Sequence, residues 1–470
     1  MDTKLINMKH SQHKHIAGLG ITPFLLIMVV MGLCSCEDFL ALEPETSLSS
    51  AKAFDNIEGV EAGINGAYST LHQEWVERQY VFAECLAGNV FEVNSLSNGN
   101  YQTALRHQDW TDLFNIGNFM WGLSYQAIDL SNQVIVSLPS IPEPNQQVSI
   151  SKDRLLGEAY FIRGLNYFVL NRFFGQPKNG LSVPVLTEPF QPGDQPVRAS
   201  IEETKSRVIA DLEEAEELMK NVESNSGRAT IWAVKALLAR VHFEYKNYQQ
   251  AAVYADDVIS NGRVEGRNLA LLAGDVTPPF SAGISTENIF TFMGNPRDRA
   301  NIRLFEIFSL SSSAVELSIS DSFWEIIAQE PQDLRLQQLH EDFQVARACH
   351  KYNDRDMNIP YIRLPEMYLI RAESNAMRGN LDVALADLNT LRQRAGLSPT
   401  SYDSLEDLLD KLFRERSLEL SMEGDHFHNL KRLEQPIDGI PWEEASYKLV
   451  LFIPEREVQI NPNLIQNDIW

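Results

Sequence analysis

Cysteine is scarce in this chain: four in 470 residues, with no C-x-x-C pair among them. That speaks against a disulfide-stapled scaffold and against a structural zinc site, which takes closely spaced thiolates. Positive charge is short as well. Forty Lys and Arg stand against 64 Asp and Glu, for a formal net charge of −24. So acidic a surface repels phosphate backbones and anionic lipid headgroups, which argues against nucleic acid as a partner and against a basic amphipathic helix on the membrane. The apolar run Ile21–Leu33 spans 13 residues, whereas a bilayer-spanning helix needs roughly 20. Enzyme signatures are missing too: there is no Gly-rich phosphate loop, no H-E-x-x-H and no G-x-S-x-G. The residues imply no cofactor and no metal. His426 and His428 flank Phe427, and positions i and i+2 of a helix do not share a face.

What is present begins at the N-terminus. Lys9 and Lys14 precede the apolar run, which ends in Leu33-Cys34-Ser35-Cys36. This is the layout of a secretory signal peptide. Its end resembles the lipobox of bacterial lipoproteins, in which Cys36 would be freed, lipidated and left as the first mature residue. The expected organisation is a signal over 1–35, a lipidated tether over 36–50 and one domain over 51–470. That domain would have an N-terminal part to about 265 and a C-terminal part from about 266, interleaved. Cleavage removes Lys4, Lys9, Lys14 and Asp2 and leaves about −26. Cys85 and Cys349 remain, and two separate buried thiols are the expectation rather than a bridge.

The rest reads as mainly α. Ser200 and Glu203 form a capping box opening a helix over Ile201–Lys220, with Val208, Leu212, Ala215 and Met219 on one stripe. Glu213, Glu214, Glu216 and Glu217 fall on its solvated side. Two segments repeat each other: at one offset Ala239 matches Ala372, Asn247 matches Asn380 and Ala251 matches Ala384. Each reads as helix, tight turn, helix, the logic of tetratricopeptide-like hairpins. Their separation argues against a regular solenoid and for hairpins embedded in a single large helical domain. Gly157–Phe174 and Leu405–Glu423 supply further helices. Trp121, Tyr125 and Trp324 sit in helical phrases and read as core.

Helical periodicity fades between about Leu71 and Trp110, and a second irregular stretch runs from Asn261 to about Ile302. Long loops in a compact domain are where ligand sites concentrate. Trp75, Phe91, Tyr101 and Trp110 lie in the first, among Asn and Ser such as Asn100; Arg297 and Arg299 lie in the second. Aromatic faces stack on sugar C–H faces, while Asn and Arg pair with hydroxyl groups. The candidate ligand residues are therefore Trp75, Asn100, Tyr101, Trp110, Arg297 and Arg299.

Several phrases, in order, resemble the SusD/RagB family of outer-membrane nutrient-binding lipoproteins. They are Cys36-Glu37-Asp38-Phe39-Leu40; Phe54 to Tyr68 with Gly59 and Gly63 between; and Trp121, Tyr125, Ile128 and Asn132. Arg154, Glu158, Ala159, Arg163 and Tyr167 to Gly175 follow. Next come Arg363 to Glu373, Asp387-Leu388-Asn389, Arg392 to Gly396, Glu415-Arg416, Glu419, Glu423-Gly424 and Leu430-Lys431-Arg432. Ile453 to Glu457 and Asn461 to Asn467 close the series. Where the family has Arg and Asp this chain has His426 and Asn429, which predicts the loss of local ion pairing.

The resemblance implies a non-catalytic lipoprotein, anchored on the cell surface at the outer membrane. It would bind an oligosaccharide, or an oligopeptide, and act as a lid on a SusC-like TonB-dependent transporter. Read from residues alone, a surface glycoside hydrolase or lyase stays open, because 64 acids offer many carboxylate pairs. So does a lipid-anchored assembly protein.

Overall fold

Side-chain caps set where several of the helices begin. In the computed structural model, which describes residues 53–93, 114–143, 145–224, 227–294, 299–309, 316–343 and 346–467, Asn56 accepts from the Gly59 amide at 2.8 Å and opens α1 (Ile57–Thr70). A π-helical turn, Leu71–Trp75, leads directly into α2 (Val76–Leu86) and the short strand β1 (Val90–Glu92). Helix α3 is Phe114–Ser137, and α4, opened by Asn145, is Gln146–Phe174. The Ser200–Glu203 capping box is complete in both directions, at 3.1 and 2.7 Å, and starts α5 (Ile201–Met219). Its four stripe residues are buried, and Glu213, Glu214 and Glu217 are exposed.

Helices α6 (Ile231–Glu244) and α7 (Tyr248–Asn261) form the first repeat unit. After them come a β2–β3 hairpin (Arg263–Val264, Arg267–Asn268), β4 (Asn288–Phe292), α8 (Arg299–Phe308), β5 (Leu317–Ile319) and α9 (Asp321–Ile327). Helix α10 (Leu334–Leu339) leads into the hairpin β6 (His340–Phe343) and β7 (Ala346–Cys349), and β8 (Ile359–Arg363) follows. The second unit is α11 (Leu364–Met377) and α12 (Leu381–Arg394). The described chain ends in α13 (Leu405–Glu419), α14 (Asp425–Leu433), α15 (Trp442–Lys448) and α16 (Glu455–Ile460).

Phe54–Trp470 makes one compact unit, and its backbone is a stack of helices. Helix α4 packs on α5, α5 on α6, α6 on α7, α7 on α11, α11 on α12 and α12 on α13. The two repeat units, distant in sequence, are thus neighbours in space. They are hairpins within one mainly helical unit, as their sequence pattern implies. The intervening 262–363 returns to its starting point because β4 and β8 pair antiparallel, Asn288 opposite Arg363 and Phe292 opposite Ile359. Alanines 372, 376 and 384 are buried at the crossing with Leu388, Leu408 and Leu412, where small side chains let the helices close up.

Buried and half-buried ion pairs tie the stack, and most involve residues of the phrases shared with the SusD/RagB family. Arg163 grips Asp211 through two bonds, of 2.7 and 2.9 Å, and donates to Asn132 at 2.8 Å, joining α3, α4 and α5. Arg154 pairs with Glu61 at 2.6 Å and Glu158 at 2.7 Å; Arg228 pairs with the same two acids. Gly63 is needed because a Cβ there would collide with the Phe54 ring.

Helix α2 lies where periodicity fades. Nearly all its residues are buried, including Glu77, Gln79 and Glu84, so it has no polar face to generate a stripe. Neither His426 nor Asn429 is in an ion pair among the described residues, and the pairs around them are made by their neighbours. Arg416 holds Asp425 at 2.6 Å, and Arg432 pairs with Glu373 at 2.7 Å while donating to Asn429. His426 is buried against Phe323 and Phe413, and burial pushes its imidazole down to about 4. Cys85 and Cys349 are both buried, and neither is in a disulfide.

Candidate functional site

The loop-bearing face is assembled from strands distant in sequence. β1 pairs with β5, Val90 opposite Ile319 and Glu92 opposite Leu317. β7 packs on β5, where the Arg347 amide donates to Ser318 Oγ at 2.8 Å. α8 also packs on β5. One described end of each of the segments 94–113, 295–298, 310–315 and 344–345 therefore sits on this strand cluster or its helix.

Two arginines order the face. The Arg303 guanidinium meets both oxygens of Glu316, each at 3.1 Å, and Glu306 at 2.6 Å. Arg347 pairs with Asp321 at 2.5 Å and with Asp342 at 3.2 Å. Its guanidinium lies 5.1 Å from the centroid of the half-buried Trp324 ring. Phe91 on β1 and Phe343 at the end of β6 are exposed. Rings beside carboxylate-held guanidinium groups offer stacking surfaces with fixed donors and acceptors around them.

At the base of the same hairpin opens a polar cavity of about 630 Å³, bordered by Gln337, Gln338, His340, Glu341, His350 and Asn353. His350 Nε2 lies 2.9 Å from Glu341 Oε2. Ser309, just past α8, hydrogen-bonds Asn353 at 2.5 Å. His340 is held by the Arg335 carbonyl at 3.1 Å and Ser421 Oγ at 2.9 Å; burial pushes its imidazole down to about 3. Amides, carboxylates and imidazoles in an open hollow suit a hydroxyl-rich ligand better than an apolar one. Among the described residues no group of three or more His, Cys, Asp or Glu is arranged to hold a metal ion.

Beneath the face lies a lattice of buried charge. Arg335 binds Asp333 (2.7 Å), Glu415 (2.5 Å) and Glu419 (3.1 Å). Arg394 binds Glu287 (2.5 Å) and Glu419 (3.2 Å); Arg363 binds Glu419 (2.8 Å) and Glu423 (2.6 Å). Lys351, just after β7, binds Glu423 at 2.6 Å. Burial alone would raise the Glu419 carboxyl, but Arg394, Arg363 and Arg335 hold it well below the usual carboxylate range. Glu84 connects this interior to β1. It accepts from Asn89 at 2.5 Å and from the Gly424 amide at 2.8 Å, and burial pushes it up to about 7 against those two bonds. Gly424 has φ +73° and abuts Gln79 and Tyr80, so a side chain there would be strained and crowded.

Trp75 is not a ligand platform. It is fully buried, its Nε1 donates to Ser124 Oγ at 2.8 Å, and its ring packs on Phe292 and Tyr361. The π-helical turn that ends at Trp75 packs against α8, so the residue supports the face from within. A π-turn adds a residue to the helical repeat, which breaks the i, i+4 spacing that would have marked Trp75 as core. Arg299 is the first residue of α8. Cys36, Asn100, Tyr101, Trp110 and Arg297 lie outside the described residues. Trp121 is core as expected, and Tyr125 is half-buried. Arg303, Phe343 and Arg347 were not singled out from the sequence. Their only local signal is a charge or ring beside acidic residues, and such patterns occur all along this chain.

A family described as "Starch-binding associating with outer membrane" matches residues 38–243, and the SusD family matches residues 344–444. The chain belongs to the SusD/RagB family. SusD-like protein P38 of Formosa agariphila is 24% identical, over 97% of this chain and 99% of its own length. A SusD superfamily protein of Bacteroides thetaiotaomicron superposes with a TM-score of 0.75 at 24% identity, covering 88% of this chain and all of that one. A SusD-like carbohydrate binding protein of Bacteroides vulgatus gives a TM-score of 0.68 at 20% identity, over 81% and 84%. At these identities the structures show the fold. It is the mainly helical SusD architecture, and among the described residues no helix is long and apolar enough to cross a membrane. In this SusD/RagB chain the family phrases map largely onto the buried ion pairs, not onto the loop-bearing face.

Proposed function

We propose that the chain is a non-catalytic, surface-exposed lipoprotein of the outer membrane that binds oligosaccharides and delivers them, as a lid, to a SusC-like TonB-dependent transporter. The signal ending at Ser35 and the lipidation site at Cys36 would supply the anchor. The observation that carries the reading is the placement of Arg347 and the polar cavity on one hairpin, with Trp324 of α9 under the Arg347 guanidinium, beside the β1–β5 strand pair. A rigid ion-locked scaffold keeps that face fixed, so little binding energy goes into ordering it. The carbohydrate binding of the Bacteroides vulgatus relative supports the ligand class.

The test is a screen of the purified protein against immobilised polysaccharides and peptide mixtures, scoring retention and hydrolysis together. Retention on one glycan without turnover, weakened by Trp324→Ala, is the expected result. Hydrolysis abolished by removing one carboxylate would replace the reading with a glycoside hydrolase. Retention of peptides alone would change the cargo and keep the lid.

A further inference from the structure

A second cleft, sharing no lining residue with the loop-bearing face, runs between α3, the segment 184–196 and α16. Its volume is about 520 Å³, within the range of ligand sites. Trp121 and Tyr125 form its floor, their ring centroids 4.8 Å apart and tilted by 43°. Phe190 and Ile460 line its mouth and are 50% and 61% exposed. Val197 and Ile465 add exposed apolar surface alongside, where Arg198 hydrogen-bonds the Ile465 carbonyl. Four large apolar side chains gathered on one exposed surface mark an interaction site more than scattered ones would.

The cleft is held open. Tyr125 Oη donates to the Pro184 carbonyl at 2.6 Å, and the Asn132 amide donates to the carbonyls of Leu186 and Glu188 at 3.1 and 2.9 Å. Asp129 accepts from the Phe190 amide at 2.8 Å, and Asn461 donates to the Pro196 carbonyl at 2.8 Å. These bonds fix the segment's backbone along its length while the Phe190 ring stays at the surface.

The charge around the cleft has one sign. Asp129, Glu188, Asp194 and Glu457 line it, and among the described residues none is in an ion pair with Lys or Arg. Of the cations nearby, Arg198 is occupied by the carbonyls of Phe174, Leu181, Ser182 and Ile465, and Arg456, exposed on α16, does not line the cleft. Aromatic faces below and carboxylates around them favour a cation with an apolar body. The chain's own tether does not fit, because Glu37, Asp38, Glu43 and Glu45 would meet like charge. A second copy would bring a net charge of −24 of its own.

We propose that this cleft docks a basic segment of another protein, with an Arg or Lys side chain over the Trp121–Tyr125 pair and flanking apolar residues against Phe190 and Ile460. The assignment rests on this cleft alone and stands or falls independently of the glycan reading.

The experiment is fluorescence anisotropy on the purified protein with a labelled pentapeptide alternating valine or leucine with arginine, and with its glutamate counterpart. The arginine peptide should bind saturably and weaken as salt shortens the Debye length from about 30 Å toward about 8 Å. Phe190→Ala and Glu457→Lys should each weaken it about tenfold or more. Glu213→Lys, the same charge change on the exposed side of α5, should leave affinity unchanged. Equal binding of the glutamate peptide, affinity that survives both cleft substitutions, or an equal loss in Glu213→Lys would overturn the proposal.

Discussion

The lattice around Glu419 and the pairs around Arg347 are built from the same chemistry, guanidinium on carboxylate, yet they do different work. Arg335, Arg363 and Arg394 converge on one buried carboxylate, each with a second acidic partner. Arg347 sits at the surface with Asp321, whose side chain is almost fully exposed. In the interior, removing one charge strands its partners away from water and costs heavily. At the surface, water replaces a lost partner and the pair contributes little to stability. The lattice therefore sets geometry, and the face can spend its charges on a ligand.

The severest test of that contrast is Glu419→Ala. It should cost about 3–5 kcal/mol in denaturant unfolding, because three guanidinium groups lose a shared partner. A cost below about 1 kcal/mol would mean that the lattice is not what holds the stack. Trp75→Ala comes next, at about 3–4 kcal/mol, since it leaves a cavity under β4 and orphans Ser124. Were it instead to spare stability and abolish glycan retention, Trp75 would belong to the face after all.

Glu84 sharpens the comparison through pH. Its carboxyl titrates near 7 when folded against about 4.5 in its ordinary state, so the folded form holds the proton more tightly. Its contribution is fully present below about pH 4.5 and is lost as pH rises through 7. Relative to Glu84→Gln, the native protein should lose roughly 2–3 kcal/mol between pH 4.5 and pH 8. The buried His340 and His426 have the opposite sign: their stabilisation is present above about 6.5 and is lost as pH falls toward about 3 and 4. They are common to both proteins and cancel in the difference. A flat difference across that range would show that Glu84 is ionised inside the fold. The smallest stability effect belongs to Arg347→Ala, within about 1 kcal/mol, while retention on the glycan that the protein selects should fall by an amount equivalent to about 1–3 kcal/mol. An unfolding shift as large as that of Glu419→Ala would erase the distinction between the two regions.

Much of the scaffold was legible because its signals are local. The Ser200–Glu203 box, the stripe through Met219 and the two helical hairpins depend on spacings of three and four residues. The phrases around Arg363, Glu415 and Glu423 were legible as a pattern, although their role as mutual partners was not. The face was less legible. Trp75 is placed by packing on β4 and β8, and Arg347 takes its Asp321 partner from α9, contacts that no local stretch of sequence contains.

The amino-acid order alone determined the helical class, the hairpin units, the acidic surface and the family pattern, since each follows from composition or from contacts within a few turns. Only the tertiary structure decided that α7 lies on α11, that Glu419 serves three arginines, and that Trp75 is inside while Trp324 borders the face. Those outcomes depend on pairing β4 with β8 and β1 with β5 across long stretches of chain. Such pairings are selected by burial and by satisfying charge over the whole molecule, and no local window contains both partners.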